Sequence, residues 1–287
     1  APGKNSAGQR LAVIPIIAKN VAAIVDVETG KLLAAVPTGI APVGAAINAA
    51  GTIAYVSNWA GRIAGPGDRT APTGLAESAD QVVIDQRGVA STGTVTKIDL
   101  GALRVAATLG VELHPTALAW DEPRHRLYVA NGNSDTVSVI DTRIDKARPT
   151  IALRPFSVVT PGVAPTALAV SSDGATLFVA CGGINAIAVV ETAGGTTKGL
   201  IPTAWYPNGL ALSGDGKHLA VSTLLGVGSG SRGGTEKRFV HAYRGSISVV
   251  PVPDAAQLAG YTTAVAENNR VPIRGAAVAA AATTPRP

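Results

Sequence analysis

One segment recurs along this chain, and it restricts the fold more than any other feature. Residues 115–141 read PTALAWDEPRHRLYVANGNSDTVSVID, and residues 165–191 repeat the pattern as PTALAVSSDGATLFVACGGINAIAVVE. Pro207 opens a further copy, PNGLALSGDGKHL, and Pro42 an earlier one, PVGAAINAAGTIAYVSN. Each copy reads as short strands of alternating apolar residues separated by Gly, Asn and Asp turns. The bare unit, from Pro165 to Pro207, has the period of about 40–45 residues that belongs to a four-stranded propeller blade.

The side chains grade in size as a blade requires. The first strand of each copy holds Ala45, Ala46, Ala117, Ala119, Ala167, Ala169, Gly209 and Ala211, which suit a crowded axis. The following strands carry the bulkier Leu127, Val129, Val137, Val139 and Ile140. A helical period does not fit these segments. Composition agrees: 46% of residues are hydrophobic but only 4% aromatic and 15% charged, with 33 Gly and 19 Pro for turns. The expected fold is all-β, a β-propeller of four-stranded antiparallel blades. Four blades are nearly complete and one is partial, because its first strand is missing or degraded in residues 1–4. Missing blades are expected upstream in a longer precursor or on another chain, since an open sheet edge invites pairing.

Three parts are expected. Residues 1–253 form the propeller. Residues 254–269 form a short amphipathic helix, opened by Pro253-Asp254 and placing Leu258, Tyr261 and Val265 on one face. Residues 270–287 are an Ala/Pro/Thr-rich linker or tail. Two insertions interrupt the blades, at residues 59–93 and 224–245, and loops of this length are usually functional. Cys181 is the single cysteine, so no internal disulfide forms, and it reads as a small buried filler. The net charge of +5, from 24 basic and 19 acidic residues, lacks the dense basic stripe of a nucleic-acid binder. No run of 18 apolar residues suggests a membrane span.

Tyr128-Val129-Ala130-Asn131, followed by DTVSVID at residues 135–141, resembles the YVTN-type β-propeller repeat of bacterial and archaeal secreted proteins. Tyr55-Val56-Ser57-Asn58 is a second match; Phe178-Val179-Ala180-Cys181 and Ala220-Val221-Ser222-Thr223 depart from it. The resemblance spans about residues 8–253 and implies a periplasmic or extracellular location. A narrower likeness rests on IPTAWYP at residues 201–207, the Gly-rich residues 226–234, and VPVP at residues 250–253 before a helix. These resemble the propeller half of bacterial proteins that pair such a propeller with an alkaline-phosphatase-like phosphoesterase domain. In that family the metal site lies in the other domain, so the resemblance implies a non-catalytic half.

The chemistry-bearing residues are few. Residues 228–233, GSGSRG, satisfy G-x-G-x-x-G, but no βαβ unit surrounds them, so a flexible insertion is the better reading. The four histidines, His114, His125, His218 and His241, lack zinc-ligand spacing, and no catalytic residue, metal site or cofactor is assigned. Asp26, Asp99, Asp141 and Glu191 recur at one repeat position, where strand-ending acids accept turn N–H bonds. The candidate partner- or anion-binding residues are Trp59, Arg62, Trp205, Tyr206, Arg232, Lys237, Arg238, His241 and Arg244. The aromatics sit at loop ends, and the cations cluster in the second insertion. The expected function is a binding or assembly module docking a protein partner through residues 59–93 and 224–245. The propeller portion of a metal-dependent phosphoesterase and a lactonase-type propeller enzyme are the alternatives.

Overall fold

The computed structural model describes residues 3–4, 8–76, 78–156, 162–226 and 244–272. Five antiparallel sheets follow one another along the chain. Blade 1 comprises β1 (Gly3–Lys4), β2 (Arg10–Ile16), β3 (Val21–Asp26) and β4 (Leu32–Pro37). Its first strand is present, though reduced to two residues. Blade 2 comprises β5 (Ile40–Ile47), β6 (Ile53–Gly61), β9 (Gly93–Asp99) and β10 (Arg104–Val111), with the hairpin β7 (Thr70–Pro72) and β8 (Gln81–Val83) inserted after β6. Blade 3 comprises β11 (Pro115–Asp121), β12 (Arg126–Asn131), β13 (Thr136–Asp141) and β14 (Lys146–Ala152). Blade 4 comprises β15 (Pro165–Val170), β16 (Thr176–Cys181), β17 (Ala186–Glu191) and β18 (Thr196–Pro202). Blade 5 has three strands among the described residues: β19 (Trp205–Leu212), β20 (His218–Gly226) and β21 (Ser246–Pro251). This is the β-propeller arrangement, and the innermost strands β5, β11, β15 and β19 lie side by side in that order.

Strand alternation makes each blade a double-sided wedge. On β12, Leu127 and Val129 pack back against Tyr55 and Val95 of blade 2. Tyr128 and Ala130, on the opposite face, pack forward against Leu177 and Val179 of blade 4. The same pattern joins blades 1 and 2 through Ile24, Val56 and Ile98, and blades 4 and 5 through Phe178, Ile187, Leu219 and Val221. The hydrophobic core is therefore four inter-blade layers. Tyr55 adds an edge-on contact with Trp120, ring centroids 4.9 Å apart, and its hydroxyl donates to Asp145 at 3.2 Å.

The repeat's Asn has a packing role. Asn131 is buried at the end of β12 and its Nδ2 donates to Thr136 Oγ1 at 3.0 Å and Ser138 Oγ at 2.9 Å. Asn58 does the same toward Thr94 and Thr96. In blade 4 the position is Cys181, and the facing residues become Ala186 and Ala188. Blade 5 has Thr223 hydrogen-bonded to Ser246 at 2.7 Å. Polar thus meets polar in blades 2, 3 and 5 and apolar meets apolar in blade 4, although the Oδ1 atoms of Asn58 and Asn131 are buried without a partner among the described residues. Burial pushes the Cys181 thiol up to about 12, which makes it inert as a nucleophile.

Strand-ending acids also act structurally. Asp26 Oδ1 accepts from the amides of Glu28 and Thr29, and Asp99 Oδ1 from those of Gly101 and Ala102. Asp141 accepts from the Arg143 amide and holds the Arg143 and Arg148 guanidiniums. Glu191, one methylene longer, reaches Lys198 instead.

The helix α1 (Ala255–Asn268) begins with a capping box in which Asp254 Oδ1 accepts from the Gln257 amide and Gln257 Oε1 from the Asp254 amide. It lies across β18, the outer edge of blade 4, where Thr262 Oγ1 accepts the Leu200 amide at 2.9 Å. A side chain at Gly199 would lie 2.6 Å from Leu258, so this close approach requires glycine. The helix is not interrupted at Gly260. Leu258 and Tyr261 enter the layer between blades 4 and 5, and Val265 that between blades 3 and 4. Among the described residues, no helix is long and apolar enough to cross a membrane.

Asn131→Ala is expected to lower the unfolding free energy in urea by about 2 kcal/mol, because the buried Ser138 hydroxyl loses its partner and Thr136 is left with Glu112 alone. The triple change Asn131→Cys, Thr136→Ala, Ser138→Ala copies blade 4 and is expected to cost less than the sum of the three single changes; strict additivity would contradict the matching argument. The guanidiniums of Arg143 and Arg148 hold the Asp141 carboxyl far below its ordinary value of 3.8. A carboxylate held down in this way stabilises the fold above that ordinary value and loses its effect as pH falls through its lowered value. Asp141→Asn is therefore expected to reduce Tm at pH 7, with the difference from the parent protein shrinking below pH 3.8.

Candidate binding surfaces

Each innermost strand is led in by a residue preceding proline: Ala41, His114, Ala164 and Tyr206, before Pro42, Pro115, Pro165 and Pro207. All four are left-handed, with φ of 54°, 54°, 50° and 57°. A non-glycine residue held there costs about 1–3 kcal/mol unless its surroundings fix it. At three of the four sites an Asx side chain from the preceding blade does so. Asn20 Oδ1 accepts the Ala41 amide at 2.9 Å, Asp135 Oδ1 the Ala164 amide at 2.8 Å, and Asn185 Oδ1 the Tyr206 amide at 2.8 Å. These Asx residues are left-handed too, a conformation their short polar side chains tolerate. In blade 2 the insertion stands where that turn would be, and the strand before His114 is held by Ser134 Oγ accepting the Leu113 amide.

A second set of bonds runs between innermost strands. Thr116 Oγ1 donates to Pro165 O at 3.1 Å, and Thr166 Oγ1 to Pro207 O at 2.6 Å. Blade 2 has Val43 at this position, and Ser57 Oγ reaches Thr116 O in its place. The next residue in the series is Asn208, which is exposed; its Oδ1 accepts from Ser222 Oγ.

The innermost strands surround a cavity of about 800 Å³. Blade 2 contributes Ile40, Val43 and Gly44, and blades 3 and 4 contribute Thr116, Ala117 and Thr166. Tyr206 enters from blade 5 and Trp59 from the extension of β6. Tyr206 lies over Gly182, where a Cβ would come within 3.1 Å of its ring. Trp59 stacks at a tilt on His114, ring centroids 4.7 Å apart. Burial holds the His114 imidazole below its ordinary 6.5, against the opposing pull of a hydrogen bond with Asn133. The inserted hairpin closes one side: Val82 packs on Ile40 and Ala60, and Thr73 and Asp80 reach the cavity.

The sequence-nominated residues thus fall into separate places. Trp59 and Tyr206 share the cavity. Trp205, half exposed, pairs in register with Gly226, and the Arg244 carbonyl lies against the same glycine at the far end of blade 5. Arg62 is engaged within its own insertion. Its Nη1 and Nη2 donate to Asp68 at 2.5 and 2.6 Å, and the guanidinium together with the Gly65 amide holds the Asp68 carboxyl down to about 2. Arg232, Lys237, Arg238 and His241 lie outside the described residues, as does the G-x-G-x-x-G segment. Among the described residues no cluster of His, Cys, Asp or Glu is placed to hold a metal ion. Sequence reasoning missed Thr116 and Thr166, although the Pro-Thr pair repeats, and Asp80, which no pattern marks.

A second surface is the outer face of blade 5. Residues of alternate parity on β20 and β21 point away from blade 4: Ala220 opposite Val249, and Ser222 opposite Ile247. Ile247 is 79% and Val249 68% exposed, and Leu224 on the same face 53%. Among the described residues β21 has no strand on its outer edge. At the other end of the series, Ile14 of blade 1 is 44% exposed on the face turned from blade 2.

No family model matches the chain, and no curated protein does. Solved structures do. Hydrazine synthase from Kuenenia stuttgartiensis is 17% identical with a TM-score of 0.63, covering 88% of this chain and 62% of that one. The dihydro-heme d1 dehydrogenase NirN in complex with DHE is 17% identical with a TM-score of 0.51, covering 74% of this chain and 39% of that one. The chain spans less than two thirds of either protein. Both are β-propellers, and at this identity the likeness establishes the fold.

Trp59→Ala uncovers the His114 ring and is expected to move its NMR titration midpoint upward toward 6.5, with the parent midpoint below that value. An unchanged midpoint would mean that Trp59 does not shield the imidazole.

Proposed function

We propose that this β-propeller is a non-catalytic binding and assembly module, and that its outer blade 5 face receives a further four-stranded blade from a partner polypeptide. The exposed Ile247 and Val249 pair carries this reading. The four layers between neighbouring blades from blade 1 to blade 5 are buried, so the open face continues an existing series of interfaces. Covering each such side chain favours association by roughly 1.5–3 kcal/mol. Asn208 supports the same occupant. It follows Pro207 as Thr116 follows Pro115 and Thr166 follows Pro165, and those two threonines donate to the next blade's proline carbonyl. The edge of β18 is covered by α1, whereas among the described residues no strand pairs with the outer edge of β21. Leu224, at the start of residues 224–245, stands exposed on this surface. Residues 59–93 are largely committed to their own chain, through Val82 and the Arg62–Asp68 pair.

The Ile247→Lys, Val249→Lys double variant is expected to alter stability by less than about 0.5 kcal/mol, because these side chains are uncovered. A photo-crosslinking amino acid at position 247, in protein expressed in its source cells, is expected to label a peptide of a propeller repeat outside residues 1–287. The Val249→Lys change is expected to abolish that product. Labelling of a second copy of this chain, or of no polypeptide, would overturn the proposal.

A further inference from the structure

The axial cavity carries a separate inference. Its volume of about 800 Å³ lies in the range of small-molecule sites. Its walls are mainly aliphatic, from Ile17 and Ile40 to Val43 and Ala117. Two large rings stand exposed on it, Trp59 at 44% and Tyr206 at 37%. Among the described residues that line it, Asp80 is the charged one, and no lysine or arginine does so. The Asp80 carboxylate is half-buried, and among the described residues it forms neither an ion pair nor a side-chain hydrogen bond. That contrasts with Asp68 in the same insertion, which Arg62 neutralises.

This combination sorts ligand classes. An anion entering the cavity would lose hydration without gaining a cationic partner, and would face Asp80. A neutral apolar molecule would gain the aliphatic contacts but leave Asp80 without compensation. An organic cation meets both requirements, since an ammonium is attracted by carboxylate charge and by aromatic faces. We propose that the axial cavity binds an organic monocation with an apolar body, an alkyl- or arylammonium, whose charge faces Asp80 and whose body lies between Trp59 and Tyr206. This reading uses no part of the blade 5 face, so the crosslinking result above and the binding result below stand or fall separately.

The probes are benzyltrimethylammonium, benzyl alcohol and phenylacetate, titrated calorimetrically into the full chain at low salt. Saturable one-to-one binding is expected for the ammonium, at least about tenfold tighter than for the alcohol, with phenylacetate weakest. Asp80→Asn keeps the side-chain shape and is expected to weaken ammonium binding about tenfold while leaving alcohol binding unchanged; Trp59→Ala is expected to weaken both. Thermal melts of both variants establish that they are folded. Tyr206→Phe, which retains the ring over Gly182, is expected to keep ammonium binding within about twofold. The proposal is overturned if the ammonium does not saturate the folded parent protein, if alcohol or phenylacetate binds as tightly, or if Asp80→Asn binds the ammonium unchanged.

Discussion

A hydrogen bond donated by the amide ahead of one blade's proline to a turn Asx of the preceding blade is the interaction on which this structure depends. It fixes a residue in the left-handed region, which a following proline and an L side chain do not favour by themselves. Because Asn20, Asp135 and Asn185 each lie in one blade and their partners at the start of the next, the bond sets where each blade begins relative to its predecessor. Asp135 takes a second amide, that of Gly162, with its other oxygen. Threonine-to-proline-carbonyl bonds then tie neighbouring innermost strands together near the axis. The apolar layers between blades are non-directional in their attraction, whereas these polar bonds join specific atoms of neighbouring blades.

The same backbone geometry shapes the candidate binding surfaces. Of the four pre-proline residues turned in this way, Ala41 and Tyr206 line the axial cavity. His114 supports Trp59, and Gly182 seats Tyr206. The departure from repetition in blade 2, where the hairpin replaces a short turn, brings Asp80 to an otherwise uncharged wall. Specific chemistry arises here where one repeat differs from the others.

The blades were readable because their period, turn residues and inward small side chains all recur. The acids at strand ends were readable as turn acceptors for the same reason, and three of the four accept turn amides. Strand lengths were less readable. The outer strand β14 begins at Lys146, since its exposed leading residues include polar side chains that weaken the alternation. The left-handed residues before proline were hidden, because local preference favours extended backbone there and the compensating Asx lies a blade away. Asp80 was hidden for a related reason: it reaches the cavity through the packing of Val82 on Ile40, a contact with no local signature. Trp59 and Tyr206 were legible as loop-end aromatics, though their shared cavity was not.

The open face of blade 5 makes the account a statement about assembly, and native mass spectrometry of the protein purified gently from its natural source tests it most directly. The predicted result is an assembled species heavier than the 28.7 kDa of this chain, in which Ile247 and Val249 are protected from solvent labelling. A single species of 28.7 kDa with both side chains freely labelled would contradict it.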